Sequence, residues 1–224
     1  MAFGATMRLQ VGELTIELSA LTKESMKEFI AGEGGMQLHS VHRYINRHTA
    51  PTQQDEEEWF DKTRATSDNL VWGIWVVDGD QRTLIGNTSL GEIEGKHFRQ
   101  ATSGSMIFRQ DYWGKGIASA IHKARTWYAF NQLGLTRIKS AVIDGNLGSR
   151  KALEKSGYSL VYVERNELFV DGSHRHMSCL ECLNPNPEFW NRWWRGERPP
   201  KASIAARNRT REALPWAETH VTLC

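Results

Sequence analysis

Three cysteines in 224 residues are too few, and too odd in number, for a disulfide framework. That scarcity predicts a reducing compartment. No apolar run is long enough to cross a bilayer, and the opening residues, MAFGATMRLQVGELTIEL, lack the basic, apolar, small-residue order of a secretory signal. The expected location is the cytoplasm, with no membrane partner. Net charge is nearly absent, +2 at pH 7, which argues neither for nor against a nucleic-acid partner. Two nucleotide-loop signatures are missing: there is no GxxxxGK(S/T), and no GxGxxG followed by an acidic residue about 20 positions on. Internal repeats are also missing.

The length suits one domain with a tail, which places a domain at residues 1–184 and an extension at residues 185–224. The extension opens with NPNPEFWNRWWRGERPPKAS, and Arg192, Arg195, Arg198, Lys201, Arg207, Arg209 and Arg211 concentrate positive charge there. Pro199 and Pro200 read as an extended linker. Trp193 and Trp194 follow Trp190 at helical spacing, which suits docking of one helix face on the domain or in a homodimer. The competing reading is a catalytically silent module whose cationic, aromatic tail holds protein or tracks nucleic acid. Docking is preferred and a nucleic-acid partner disfavoured, because such aromatic stripes are more often core. The acidic block Asp55, Glu56, Glu57 and Glu58 reads as a helix first turn capped by Thr52.

Cys179 and Cys182 form CLEC near His174 and His176, so a metal site must be weighed. The segment HMSCLECL reads as a strand, where residues three apart face opposite ways, and no second pair follows. No metal is expected.

Along the chain, GELTIELSAL alternates as a strand, and TKESMKEFIAG reads as a helix closed by glycine. TQQDEEEWFDKTRAT reads as a second helix. Two β-rich runs flank Asp78 and Gly79 as a hairpin. ATSGSMIF is a strand leading into the glycine segment. A helix from Ile117, marked by Ile121, Ala124 and Tyr128, stops at Gly134. LTRIKSAVID is a strand, NLGSRKALEKSGY a short helix capped by Asn146 and closed by Gly157, and a last hairpin turns at Asp171 and Gly172. The order predicts a mixed α/β fold, antiparallel hairpins around a β-loop-α-β core.

The segment RQDYWGKGIAS places two glycines just before that long helix. Glycine there lets backbone N–H groups approach a ligand, and the helix start adds a positive dipole end, so a phosphate is the expected guest, with a plain tight turn as the alternative.

YWGKGIAS resembles the pyrophosphate-binding loop of the GNAT superfamily of acyl-CoA-dependent N-acetyltransferases, in its ribosomal-protein-acetyltransferase (RimJ/RimL-like) branch. NLGSRKALEKSGY resembles that branch's Asn-x-x-Ser helix and Glu-Lys-x-Gly-aromatic end, with LGLTRIKSAVIDGN as the strand between. The resemblance spans roughly Leu9 to Leu183. It implies a central twisted, mostly antiparallel sheet flanked by helices and splayed at the acyl-CoA site. It also implies acetyl-CoA as co-substrate. The pyrophosphate would lie on Gly114, Lys115, Gly116, Ile117, Ala118 and Ser119. The pantetheine arm would pair with Met106, Ile107 and Phe108, and Asn146 would bond it.

The implied chemistry is direct attack of a primary amine, from a protein N-terminus or a small molecule, on a thioester. It needs a neutral amine, an oxyanion donor and a proton for the departing thiolate. A backbone N–H of Met106 or Ile107 would serve the oxyanion. By resemblance Ser149, which lies in the cofactor site too, is the acid, with Tyr158 as runner-up. The base departs from the branch pattern: Leu168 stands where a comparable enzyme has Glu, and adjacent Glu167 faces the other way unless the strand bulges. Ser103 and Ser105 stand where many relatives carry Glu in the preceding strand. Glu92 is preferred as base, ahead of Glu94. His39 and His42, near the expected acceptor pocket, are given no role.

Overall fold

A computed structural model describes residues 2–30, 35–45, 49–95, 97–194 and 196–224, with the side chains of residues 192–194 left aside. Alternation builds the first hairpin. β1 (Met7–Val11) and β2 (Leu14–Ser19) set Leu9 opposite Ile16 and Met7 opposite Leu18. The sequence reading included only the second of these strands. Three helices follow: α1 (Met26–Ile30), α2 (His39–His42) and α3 (Gln53–Ala65). The glycine expected to close the first of them falls outside the described residues. Thr52 caps α3 as expected: its hydroxyl accepts from the Asp55 N–H, and the Asp55 carboxylate accepts from the Thr52 N–H at 2.7 Å.

The β-rich runs then fold as β3 (Leu70–Asp78) and β4 (Gln81–Glu94), which pair across the Gly79 turn, where φ is +55°. β5 (Gln100–Ile107) returns antiparallel to β4 and leads into α4 (Ile117–Asn131). β6 (Arg137–Ile143), α5 (Leu147–Lys155), β7 (Ser159–Val170) and β8 (Ser173–Leu183) complete the expected series.

The extension departs from expectation. After α6 (Glu188–Trp194), Pro200 starts no linker but caps α7 (Lys201–Ala213). Proline suits a helix start, because an N–H lost there has no intrahelical partner anyway. α8 (Pro215–His220) and β9 (Val221–Leu223) follow, and β9 pairs with β1, Met7 opposite Leu223.

The sheet has nine strands in the order β7-β8-β6-β5-β4-β3-β2-β1-β9, and every pair is antiparallel except β5 with β6. Each face carries its own core. On one, Ile121, Ala124 and Phe130 of α4 and Leu153 of α5 pack with Trp72 and Ile74. On the other, Phe29 of α1 and Phe60 of α3 pack with Val71 and Phe108. Full burial of side chains of this size contributes roughly 1.5–3 kcal/mol each, which fixes both helical layers against the sheet. No described helix is long and apolar enough to cross a membrane.

Candidate active site

The one parallel pair is also the one that fails early. β5 and β6 are in register only from Gln100, opposite Arg137, to Thr102, opposite Lys139. Beyond Thr102 the strands part, while β6 stays paired with β8 as far as Ile143. A cavity of about 720 Å³ opens in the gap, lined by Ser103–Ile107 on one side and Ser140–Ile143 on the other. The parting leaves main-chain groups of β5 without a strand neighbour. Phe108 N–H donates to Ile85 C=O, and Gly104 C=O accepts from the Thr88 hydroxyl of β4. Along an antiparallel strand the main-chain groups of successive residues point alternately to either side. Gly104, Met106 and Phe108 therefore turn toward β4, and Ser103, Ser105 and Ile107 toward the gap. Of the two amides expected to meet an oxyanion, Ile107 has its main chain on the cavity side and Met106 does not. Ile107 C=O is already taken by the Trp113 indole N–H at 2.8 Å.

The wide end of the gap meets the glycine segment. Gly114 and Gly116 have φ of +75° and +83°, and Gly116 is the residue from which α4 starts. No side chain caps that start, so the first amides of the helix keep the open, positively polarised face that binds anions. A side chain at Gly114 would meet nothing within 4 Å, and at Gly116 only Val11 Cγ1 at 4.0 Å. Backbone conformation, not crowding, explains the glycines. Gly114, Gly116, Ile117, Ala118 and Ser119 all line the cavity, as do Lys151 and Lys155 of α5, two cations on the same side. Asn146 lines it too, and its Oδ1 accepts from Ser149 N–H at 3.1 Å, leaving the amide NH₂ to face a guest. Ser149 sits beside it on the cavity wall.

A parallel pair that splays, a glycine turn with uncapped helix amides at its mouth, and an Asn-x-x-Ser turn across from it line one slot. Residues 16–159 match the Acetyltransferase (GNAT) domain family. The chain belongs to that family. Over 117 residues it is 32% identical to the probable N-acetyltransferase YjcK of Bacillus subtilis (strain 168). That alignment covers 52% of this chain and 63% of YjcK, so the chain spans less than two thirds of that relative's length. Mycobacterium smegmatis RimJ, solved in complex with CoA-disulfide, superposes with a TM-score of 0.66 at 18% identity, over 99% of this chain and 97% of RimJ. Spermidine N-acetyltransferase from Vibrio cholerae, solved with CoA and spermine, gives 0.65 at 20% identity, over 75% of this chain and 95% of that one. At these identities the likeness is one of fold.

Several residues expected at the site of this GNAT chain lie elsewhere. Phe108 is 1% exposed and packs on Phe29, ring centroids 5.0 Å apart, so it belongs to the α1 core. Lys115 does not line the cavity, and its ammonium lies over the Tyr112 ring. Tyr158 is fully buried with its hydroxyl 3.4 Å from that of Thr126, away from the cavity wall. Glu92 sits at the β4–β5 irregularity with φ +52°, exposed, accepting from the Thr102 hydroxyl at 2.7 Å, and does not reach the cavity. Glu94 is turned to the backbone of His97 and Arg99. β7 does carry an irregularity between Glu164 and Leu168, yet Glu167 is exposed and no part of the lining. His39 bonds Asp171 at 2.7 Å, and His42 bonds Met36 C=O. No carboxylate is among the described cavity residues.

Other lining residues carried no mark in the sequence. Ser40, Val41, Arg43 and Tyr44 bring α2 and the turn after it over the cavity. Arg43 and His39 both grip Asp171 at the β7–β8 turn, tying that hairpin to the same cover. His122 also lines the cavity, and Arg125, one turn on, is wholly buried. Their spacing of three puts them on one helix face, a signal hidden by the apolar stripe beside it.

None of the three cysteines is among the described cavity residues. Burial pushes Cys182 up to about 12, with its sulfur against the Thr210 hydroxyl. Cys179 is raised as well, by burial foremost. A protonated thiol is a poor nucleophile.

Proposed function

We propose that this protein transfers an acetyl group from acetyl-CoA to a primary amine by direct attack, with a peptide or protein N-terminus as acceptor. The observation that carries the reading is the gap between β5 and β6 ending at the uncapped α4 start. A pantetheine arm would lie along the free edge of β5 at Ser103, Ser105 and Ile107, with its pyrophosphate on the amides of Gly114–Ser119. Lys151 and Lys155 would offset the phosphate charge. Asn146 would bond the arm through its amide NH₂. The Ile107 N–H would meet the oxyanion, and Ser149 would pass a proton to the departing thiolate.

The acceptor follows from charge. A polyamine carries several ammonium groups that call for carboxylates, whereas the described lining offers none, and away from the phosphate seat it presents Arg43. An α-amine has a pKa near 8 against about 10 for an alkyl amine, so an appreciable fraction is already neutral at pH 7 without a dedicated base. The catalytically silent alternative is not favoured, since Trp190 of its supposed binding tail is engaged by Asn184 C=O and Arg207.

The test is release of free CoA thiol from acetyl-CoA on adding a peptide with a free N-terminus, the same peptide N-acetylated, or spermidine. Release with the first alone is expected. Release with spermidine alone would remove the N-terminal acceptor, and release with none would remove the transferase reading.

A further inference from the structure

Arg125 is 0% exposed, yet no ion pair reaches it among the described residues. Its Nη1 donates to the Thr88 hydroxyl at 2.6 Å and Gly104 C=O at 2.7 Å, and its Nε has no partner. A buried cation held only by neutral acceptors keeps an unanswered positive field. Its Nη2 lies 2.8 Å from His122 Nδ1. A guanidinium only donates, so Nδ1 must accept, and the His122 proton is fixed on Nε2. That Nε2 has no partner among the described residues and is not one of the buried unpartnered atoms, while the ring lines the cavity. Its N–H therefore opens on the slot, between the helix start that would hold the pyrophosphate and the Gly104 level of β5. Burial, then the adjacent Arg125 charge, keeps the ring neutral by pulling its pKa well down.

We infer that His122 donates its Nε2–H to the acyl-thioester of a bound acyl-CoA, with Arg125 as the positioning residue that fixes the tautomer and polarises the bond. This rests on the acetyltransferase reading. A neutral imidazole can polarise a carbonyl without giving up its proton. The amine nitrogen forms its bond to the carbonyl carbon while the C=O pair moves to oxygen. The pair returns as the C–S bond breaks, and the thiolate gains a proton in exchange for the one the amine loses. His122 keeps its own proton throughout.

Isotope-edited infrared spectroscopy of acetyl-CoA labelled with ¹³C at the carbonyl tests this without an acceptor. Bound to the full-length protein, the carbonyl stretch should lie below that of acetyl-CoA in water. His122→Phe should lose that downward shift with the acetyl-CoA Kd changed less than about twofold and kcat lowered on the order of 10²-fold. His122→Gln, which keeps a donor near the Nε2 position, should retain it. An unchanged stretch in His122→Phe at equal affinity would overturn the inference and leave the transferase reading intact. Failure of the wild type to bind acetyl-CoA would overturn both. If His122→Phe does not fold, ¹⁵N spectra of the wild-type ring decide: a proton on Nε2 and no titration near pH 6.5 supports the inference, and a proton on Nδ1 overturns it.

Discussion

Gly116 holds a φ of +83° in open space, so alanine there is opposed by conformation alone. A left-handed alanine costs about 1–2 kcal/mol, and the helix start it unsettles is the proposed pyrophosphate seat. Gly116→Ala should lower stability by that amount in urea unfolding and weaken CoA about tenfold by calorimetry. Glu92 and Ser149 separate in the same way: Glu92→Gln should leave kcat within about twofold, and Ser149→Ala should lower it about tenfold or more, read by thiol release. Exchange of all three cysteines for serine should leave turnover in place. His122 gives the residue-scale pH dependence. Its folded pKa is depressed, so below about pH 6.5 the unfolded chain binds a proton that the native one does not. Unfolding free energy should therefore fall as pH drops through 6.5, and less so in His122→Phe. The glycines were legible in the sequence because positive φ leaves a compositional mark. His122 was not, because a histidine beside an apolar stripe looks the same whether it faces a core or a slot. The placement of Glu92 and Tyr158 off the cavity wall is hidden for a related reason: their faces depend on a strand irregularity and a buried helix contact that spacing does not encode.

Among the elements, the β3–β4 and β7–β8 hairpins and the β5-α4-β6-α5 run could be read from alternation, caps and turn residues, each of which is a local signal. The extension could not. β9 has three residues, too few for a period, and its partner Met7–Leu9 lies at the other end of the chain. Pro199 and Pro200 are ambiguous between linker and helix start until α7 has something to pack on, here through Ala206 and Thr210, both buried. Gly157 records that packing: with φ +92°, its added Cβ would stand 2.8 Å from Thr210 Cα. Removal of residues 201–224 should accordingly lower the thermal midpoint and bare the β1 edge, seen as concentration-dependent aggregation. An extension that merely trailed the domain would leave both unchanged. At α3, Thr52→Ala should cost about 1 kcal/mol through loss of the capping box, measured by urea denaturation.

For the molecule as a whole, the proposed function resides in an interruption of the sheet. Seven of the eight strand pairings only hold the sheet together, but the early parting of β5 from β6 makes the slot and frees the strand edge that lines it. Family resemblance anticipated the splay; composition and periodicity did not, because both strands read as ordinary strands to their ends. The lack of a carboxylate among the described lining residues is likewise a property of the whole, since it depends on which carboxylates the fold turns away. Titration calorimetry with CoA tests the central claim most directly. The account predicts saturable binding at one site per chain that weakens with added salt and weakens further in Gly116→Ala. An absence of heat with CoA, or binding indifferent to Gly116→Ala, would contradict it.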